Sequence, residues 1–209
     1  MAREGGGRMK ENMLRPPTTS GEWFADAVRV VGVLSVVVAA IWLTPTDAAI
    51  VALALPGVFL PRMIAAAAWF DAVLGITVLV ASWSNVFDLY TTVAGWDVLV
   101  HFVCTGAVAA LLHLLLARAG FIIGRGDSGF TPAGAVIVTT ALGLALSVLW
   151  EILEWFGHAF ISDDIFVTYA DTIGDMAAGG AGSICAGLAV AFLPLTRSSV
   201  GGEPPRQPR

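Results

Sequence analysis

The sequence predicts an all-α membrane protein, a polytopic bundle of about six transmembrane helices with both termini in the cytoplasm. Three observations carry this expectation. Hydrophobic residues make up 57% of the 209 positions and charged residues 13%, whereas about a quarter of a soluble domain is charged. The apolar residues fall in runs near the roughly 20 positions that a helix needs to cross a hydrocarbon core of about 30 Å. The basic residues sit in alternate connections, as the positive-inside rule requires.

The first 26 residues are polar, rich in Gly and Pro, and read as a disordered cytoplasmic tail; the membrane domain is expected over residues 27–197, with a second disordered tail at 198–209. The first span runs from Ala27 to Leu43. The second, Ala48 to Pro61, is short and carries Pro56, so its length also suits a re-entrant segment. The others run from Met63 to Trp83, Trp96 to Ala117, Pro132 to Gly157 and Ile173 to Leu193.

Charge placement argues for counting the second segment as a span. With six spans and the N-terminus inside, all 11 basic residues become cytoplasmic. The outer connections then carry no base but contain Asp47, Asp88, Asp163, Asp164 and Asp171. Trp42, Trp83, Trp96 and Trp155 mark outer span ends, where the indole ring favours the interface. The expected location is therefore the cell (inner or plasma) membrane, with lipid as the surrounding partner and no signal for nucleic acid. Cys104 and Cys185 lie apart in apolar runs and suggest neither a disulfide nor a thiolate metal site; both read as inert, buried thiols.

Ionisable groups inside spans are costly, about 2.5–3.5 kcal/mol each at a helix centre, and count as functional candidates. Here they come at helical spacing: Asp97 with His101, Glu151 with Glu154, and Asp171 with Asp175. Up-down connectivity brings all three pairs to one depth, and the charge rule puts that depth on the outer face. The ligand set expected for a divalent metal ion is His101, Glu151, Glu154, Asp171 and Asp175, with Glu151 or Glu154 as general base. The alternative is a purely structural polar network, in which Asp97, Asp171 and Asp175 favour helix N-termini.

Four residues are less determined. Asp97 is nearer water, and His158 suits a ligand, a proton shuttle or a loop residue. Asp71 either faces the cluster from deeper down or pairs with a polar group such as Ser82 or Thr77. His113 belongs to the cytoplasmic end, apart from the cluster. The small residues from Ala177 to Gly182 suit close helix packing.

Three short motifs carry a resemblance: Asp97-Val98-Leu99-Val100-His101-Phe102, Trp150-Glu151-Ile152-Leu153-Glu154-Trp155 and Asp171-Thr172-Ile173-Gly174-Asp175-Met176. In this order and spacing they resemble the YjdF-like family of bacterial inner-membrane proteins and, more distantly, the VanZ-like family. The match covers about residues 96–192. It implies an integral membrane protein with an acid and histidine site, and no particular reaction. In those families the last motif usually continues to an Asn one turn after its second Asp; here that position is Gly179.

Two functions emerge as expectations. One is a metal-dependent enzyme acting on a lipid or lipid-linked substrate at the outer leaflet. The other is a cation- or proton-coupled transporter, against which stands the lack, apart from Asp71, of a polar ladder crossing the bundle. A structural membrane protein is the third alternative.

Overall fold

A computed structural model of the chain describes residues 2–162 and 165–197. Among these residues the regular structure is helical: α1 (Ala2–Leu14), α2 (Ser20–Trp42), α3 (Pro45–Leu53), α4 (Leu55–Met63), α5 (Ala68–Val86), α6 (Leu89–Thr92), α7 (Trp96–Val100), a π-helical turn (His101–Thr105), α8 (Gly106–Ala119), α9 (Pro132–Phe160) and α10 (Tyr169–Phe192). Six helical stretches among the described residues are long and apolar enough to cross a membrane: α2, α3 with α4 (Pro45–Met63), α5, Trp96–Ala119, α9 and α10. The expected count of six is met. Asp163, Asp164 and the tail at 198–209 lie outside the described residues.

The N-terminal 26 residues differ from the expected disordered tail. Residues 2–14 form α1, and the first span begins at Ser20, not Ala27. The cause is local capping: the Thr19 hydroxyl accepts from the Glu22 amide at 3.2 Å, and Glu22 in turn accepts from the Thr18 amide at 2.7 Å. An apolar count misses such a start because it is polar.

The second span is helical on both sides of a break at Ala54. Pro56 has no amide hydrogen to continue the ladder, so the helix restarts rather than runs through. Thr44 and Asp47 open the first half with reciprocal side-chain to backbone bonds. The second segment, Pro45–Met63, is thus long and apolar enough to cross a membrane as a broken helix.

Helix α2 puts small residues inward and large apolar ones outward, whereas α5 also buries Phe70, Leu74 and Leu79. In α2, Ala25, Gly32 and Ala39 are buried while Val30, Val31, Leu34 and Ile41 are exposed. That is the inverse of a soluble helix and fits lipid as solvent. It also moves Cys185 to an exposed position on α10, whereas Cys104 is half-buried; only one of the two thiols is enclosed.

Charged side chains knit one end of the bundle together. Glu22 forms ion pairs with Arg15 and with Arg197, the latter at 2.8 Å, so the start of α2 is tied to the segment after α10. Arg62 donates to the Arg15 carbonyl, and Arg118 to the Ile64 carbonyl at 3.1 Å. Ala67 donates to Leu195 and Arg197 to Ala65 through their backbones. This basic end lies opposite the end that carries His101.

Candidate functional site

Span α5 resolves the position of Asp71. Its carboxylate pairs with Arg29 of α2, both residues being buried, and Arg29 also bonds Asp26. Asp71 therefore belongs to the basic end and faces neither the cluster nor Ser82 or Thr77. Ser82 instead donates to carbonyls of its own helix. The sequence places Arg29 one turn inside the first span, and this was the available sign of its partner.

At the other end, Trp96 opens the fourth span and donates from Nε1 to the Ser84 hydroxyl at 2.9 Å. Asp97 and His101 come next on one face, with Asp97 Oδ1 3.3 Å from His101 Nε2. The helix then widens into a π turn at His101–Thr105. Such turns insert a residue into the α ladder and often mark functional positions. No residue pattern announces it.

From α9, Glu151 brings Oε1 to 3.9 Å from His101 Nδ1. His101, Glu151 and Asp175 are all buried. Two groups of donor atoms converge, Asp97 with His101 and Asp175, and His101 with Glu151 and Glu154, the atoms in each group lying within 4.8 Å of one another. His101 is common to both. Glu151 Oε1 is buried and has no hydrogen-bond partner among the described residues, which is costly for a carboxylate.

Not every candidate joins. Asp171 is in neither group; its amide receives the cap from the Thr168 hydroxyl at 3.3 Å. His158 also stands outside them, with Nδ1 2.7 Å from the Ile165 carbonyl. A carbonyl only accepts, so that nitrogen carries the proton and His158 pins the loop after α9. Conversely, Asp97 enters a group that its nearness to water had argued against.

Tyr90, on the short helix α6, is a neighbour the sequence did not suggest. Its hydroxyl donates to the Ala81 carbonyl at 2.7 Å. Burial pushes its phenol well above the ordinary range, and Cys104, Asp97 and Glu154 push the same way.

Close packing of α10 brings the third acid in. A side chain at Gly179 would collide with the Ser147 hydroxyl and Thr105, so an Asn has no room there without movement of α9. Below the cluster, Ser147, Ser183, Thr139 and His113 are buried. Thr139 and His113 meet at 3.0 Å. The expectation of no polar ladder did not count these buried hydroxyls, of which Ser183 donates to the Gly179 carbonyl of its own helix and Thr139 meets His113; serine and threonine read as ordinary residues in an apolar run.

Beside Glu151, between α9 and α10, is a cavity of about 310 Å³ walled by Val148, Ile152, Trp155 and Met176, with Thr172 at its edge. Its lining is almost wholly apolar apart from the carboxylate. Trp155 and Ile152 are exposed, so the cavity opens toward the lipid side of the bundle.

Fold and site together define a multi-pass membrane protein with a His/carboxylate cluster buried at one end of its helices. The chain belongs to the family described as "Predicted membrane protein (DUF2238)", whose family model matches residues 20–195. No curated protein and no solved structure matches it.

Proposed function

We propose that the chain is a membrane-embedded, metal-dependent enzyme acting on a lipid or lipid-linked substrate at the outer leaflet of the cell membrane. The observation that carries this reading is the sharing of His101 by the two donor groups, together with the unpartnered Glu151 Oε1. A neutral imidazole donates through one nitrogen only, yet carboxylates face both nitrogens of His101. A divalent cation relieves the crowding of acids and satisfies the orphan oxygen.

The donor set is imidazole and carboxylate, which suits Zn²⁺, Mn²⁺ or Mg²⁺. His101, Glu151, Glu154, Asp97 and Asp175 hold it in this reading, with Asp171 one turn away. Such an ion supplies Lewis-acid polarisation of a phosphoryl or carbonyl oxygen. Glu151 and Glu154 are the candidates to take a proton from the attacking group. The apolar cavity beside Glu151 supports an acyl or polyprenyl chain as the part of the substrate that is bound. The three motifs support the narrower YjdF-like resemblance, and the gathering of arginines at the opposite end supports a cytoplasmic placement of both termini.

Elemental analysis of protein purified in detergent without chelator tests the reading. Wild type is expected to carry divalent metal at a fixed ratio to protein, and His101→Asn and Glu154→Gln to lose it while remaining folded by circular dichroism. Absence of metal from wild type, combined with no uptake of added Zn²⁺, Mn²⁺ or Mg²⁺, overturns it.

The buried file from Ser147 to His113 favours a second reading, proton- or cation-coupled transport. Flux in liposomes that is abolished by Glu151→Gln and persists without metal selects it instead.

A further inference from the structure

The basic end contains a cavity of about 260 Å³ between the last turns of α8, the loop at Arg125 and Gly126, and the segment Leu193–Arg197. It lies more than three turns along the fourth span from His101, and its ligand chemistry is independent of the function proposed for that cluster. Its walls combine apolar residues, among them Leu114 and Val190, with His113, Arg125 and Arg197. Arg197 is matched by Glu22 at 2.8 Å. Arg125 bonds the Leu193 carbonyl at the end of α10 and is in none of the ion pairs found among the described residues. The cavity wall therefore carries positive charge without a matching carboxylate at Arg125.

His113 makes the site more specific than a basic patch. It is 2% exposed, and its Nε2 is buried with no hydrogen-bond partner among the described residues. Its Nδ1 lies 3.0 Å from Thr139 Oγ1, and that hydroxyl lies 2.8 Å from the Ala135 carbonyl. A carbonyl only accepts, so the single hydroxyl proton of Thr139 goes to Ala135. Thr139 then accepts from His113, which fixes the proton on Nδ1 and leaves a lone pair on Nε2 of the neutral ring. A ligand that satisfies this wall offers acceptor oxygens to Arg125 and, as the wall gives way to admit it to the enclosed Nε2, an acidic proton there.

We infer that this cavity binds a phosphomonoester or inorganic phosphate, with Arg125 taking the charged oxygens and His113 Nε2 taking the P–OH proton as a hydrogen bond. Arginine suits phosphate through its planar fork of donors, and a cationic cavity lined by apolar residues at a membrane interface suits a lipid headgroup. Two sources share the chemistry, the headgroup of phosphatidic acid and free phosphate. Near pH 6, about the second pKa of a phosphomonoester, sulfate and phosphodiester headgroups offer charge without the acidic proton that the monoester still carries, and bind more weakly.

The test uses the full chain in dodecyl maltoside at about pH 6. Titration calorimetry compares inorganic phosphate with sulfate, and native mass spectrometry compares phosphatidic acid with phosphatidylglycerol. Wild type is expected to prefer the monoester or phosphate by about tenfold, one hydrogen bond's worth of discrimination. Arg125→Gln, in an exposed loop where folding is little affected, weakens binding by about tenfold. His113→Gln removes the preference while Arg125 still retains residual affinity. A response to phosphatidic acid alone identifies a lipid site, and a response to phosphate alone a soluble ligand. No preference for either monoester over its counterpart in wild type, or unchanged binding in Arg125→Gln, overturns the inference.

Discussion

The backbone of Gly182 lies directly against the carbonyl of Phe102: a Cβ at position 182 would overlap that oxygen. Phe102 belongs to the π turn that begins at His101. The contact is reciprocated one turn on, where a Cβ at Gly106 would come within 2.7 Å of the Gly182 carbonyl. Glycine at both positions lets α10 approach the fourth span closely enough for Asp175 to share donors with His101.

Gly182→Ala should therefore push α10 away and lower stability by at least about 1–3 kcal/mol, the usual range for overpacking. Gly174→Ala is the control, since nothing among the described residues lies within 4 Å of a Cβ there, and alanine is the better helix former by about 0.5–1 kcal/mol. Thermal unfolding in detergent should show a lower midpoint for the first variant and an equal or higher one for the second. Equal midpoints for both would disprove the close-approach account.

Much of this was legible in the sequence because spans and spacing are one-dimensional signals. Glu151 and Glu154 three apart, or Asp97 and His101 four apart, share a helix face whatever surrounds them. The π turn, the break at Ala54 and the role of Gly182 were not legible, since each depends on what another helix or a missing amide does to the backbone. Asp97 and Asp171 were hard to separate for a related reason. Both occupy the first turn of a span at the His101 end of the bundle, and only the rotation of each helix decides which carboxylate turns toward His101.

Arg29 and Asp71 are 42 residues apart in sequence and share a buried ion pair. Removing one partner strands a charge away from water, which typically costs about 3–5 kcal/mol. Arg29→Met should cost that much by stranding Asp71, Asp71→Leu less because Asp26 still pairs with Arg29, and the two together should recover most of the loss. A double-mutant cycle on unfolding free energies measures the coupling. Additive losses would mean that the pair is solvated and contributes little.

Tyr90 provides a pH dependence with a definite sign. Its phenol is held above the usual value of about 10 by burial first and by nearby negative charge second. The folded state thus holds this proton more tightly than the unfolded state does. The stability linked to it is fully present below about pH 10 and is lost as pH rises through the folded value. The chain has two tyrosines, and Tyr169 is exposed. Ultraviolet titration of Tyr169→Phe, in which Tyr90 is the remaining phenol, should show no ionisation near about pH 10 while the chain stays folded and ionisation only with unfolding. Ionisation near about pH 10 in folded Tyr169→Phe would contradict the placement.

Asp97 and Asp171 separate the site from its surroundings. Asp97 lies 3.3 Å from His101 and shares a donor group with Asp175. Asp171 sits in the first turn of α10, behind the Thr168 cap and outside both groups. Its carboxylate is worth about 0.3–1 kcal/mol through the helix dipole. On this geometry Asp97→Asn should reduce metal retention markedly at nearly unchanged stability, because it removes a charged donor without removing a packed atom. Asp171→Asn should do the reverse, keeping metal and giving up only the dipole contribution. Elemental analysis paired with thermal unfolding reads both effects from the same preparations. Loss of metal in Asp171→Asn with full retention in Asp97→Asn would mean that α10 is rotated relative to the fourth span, so that the acid facing His101 is the one at the start of its first turn.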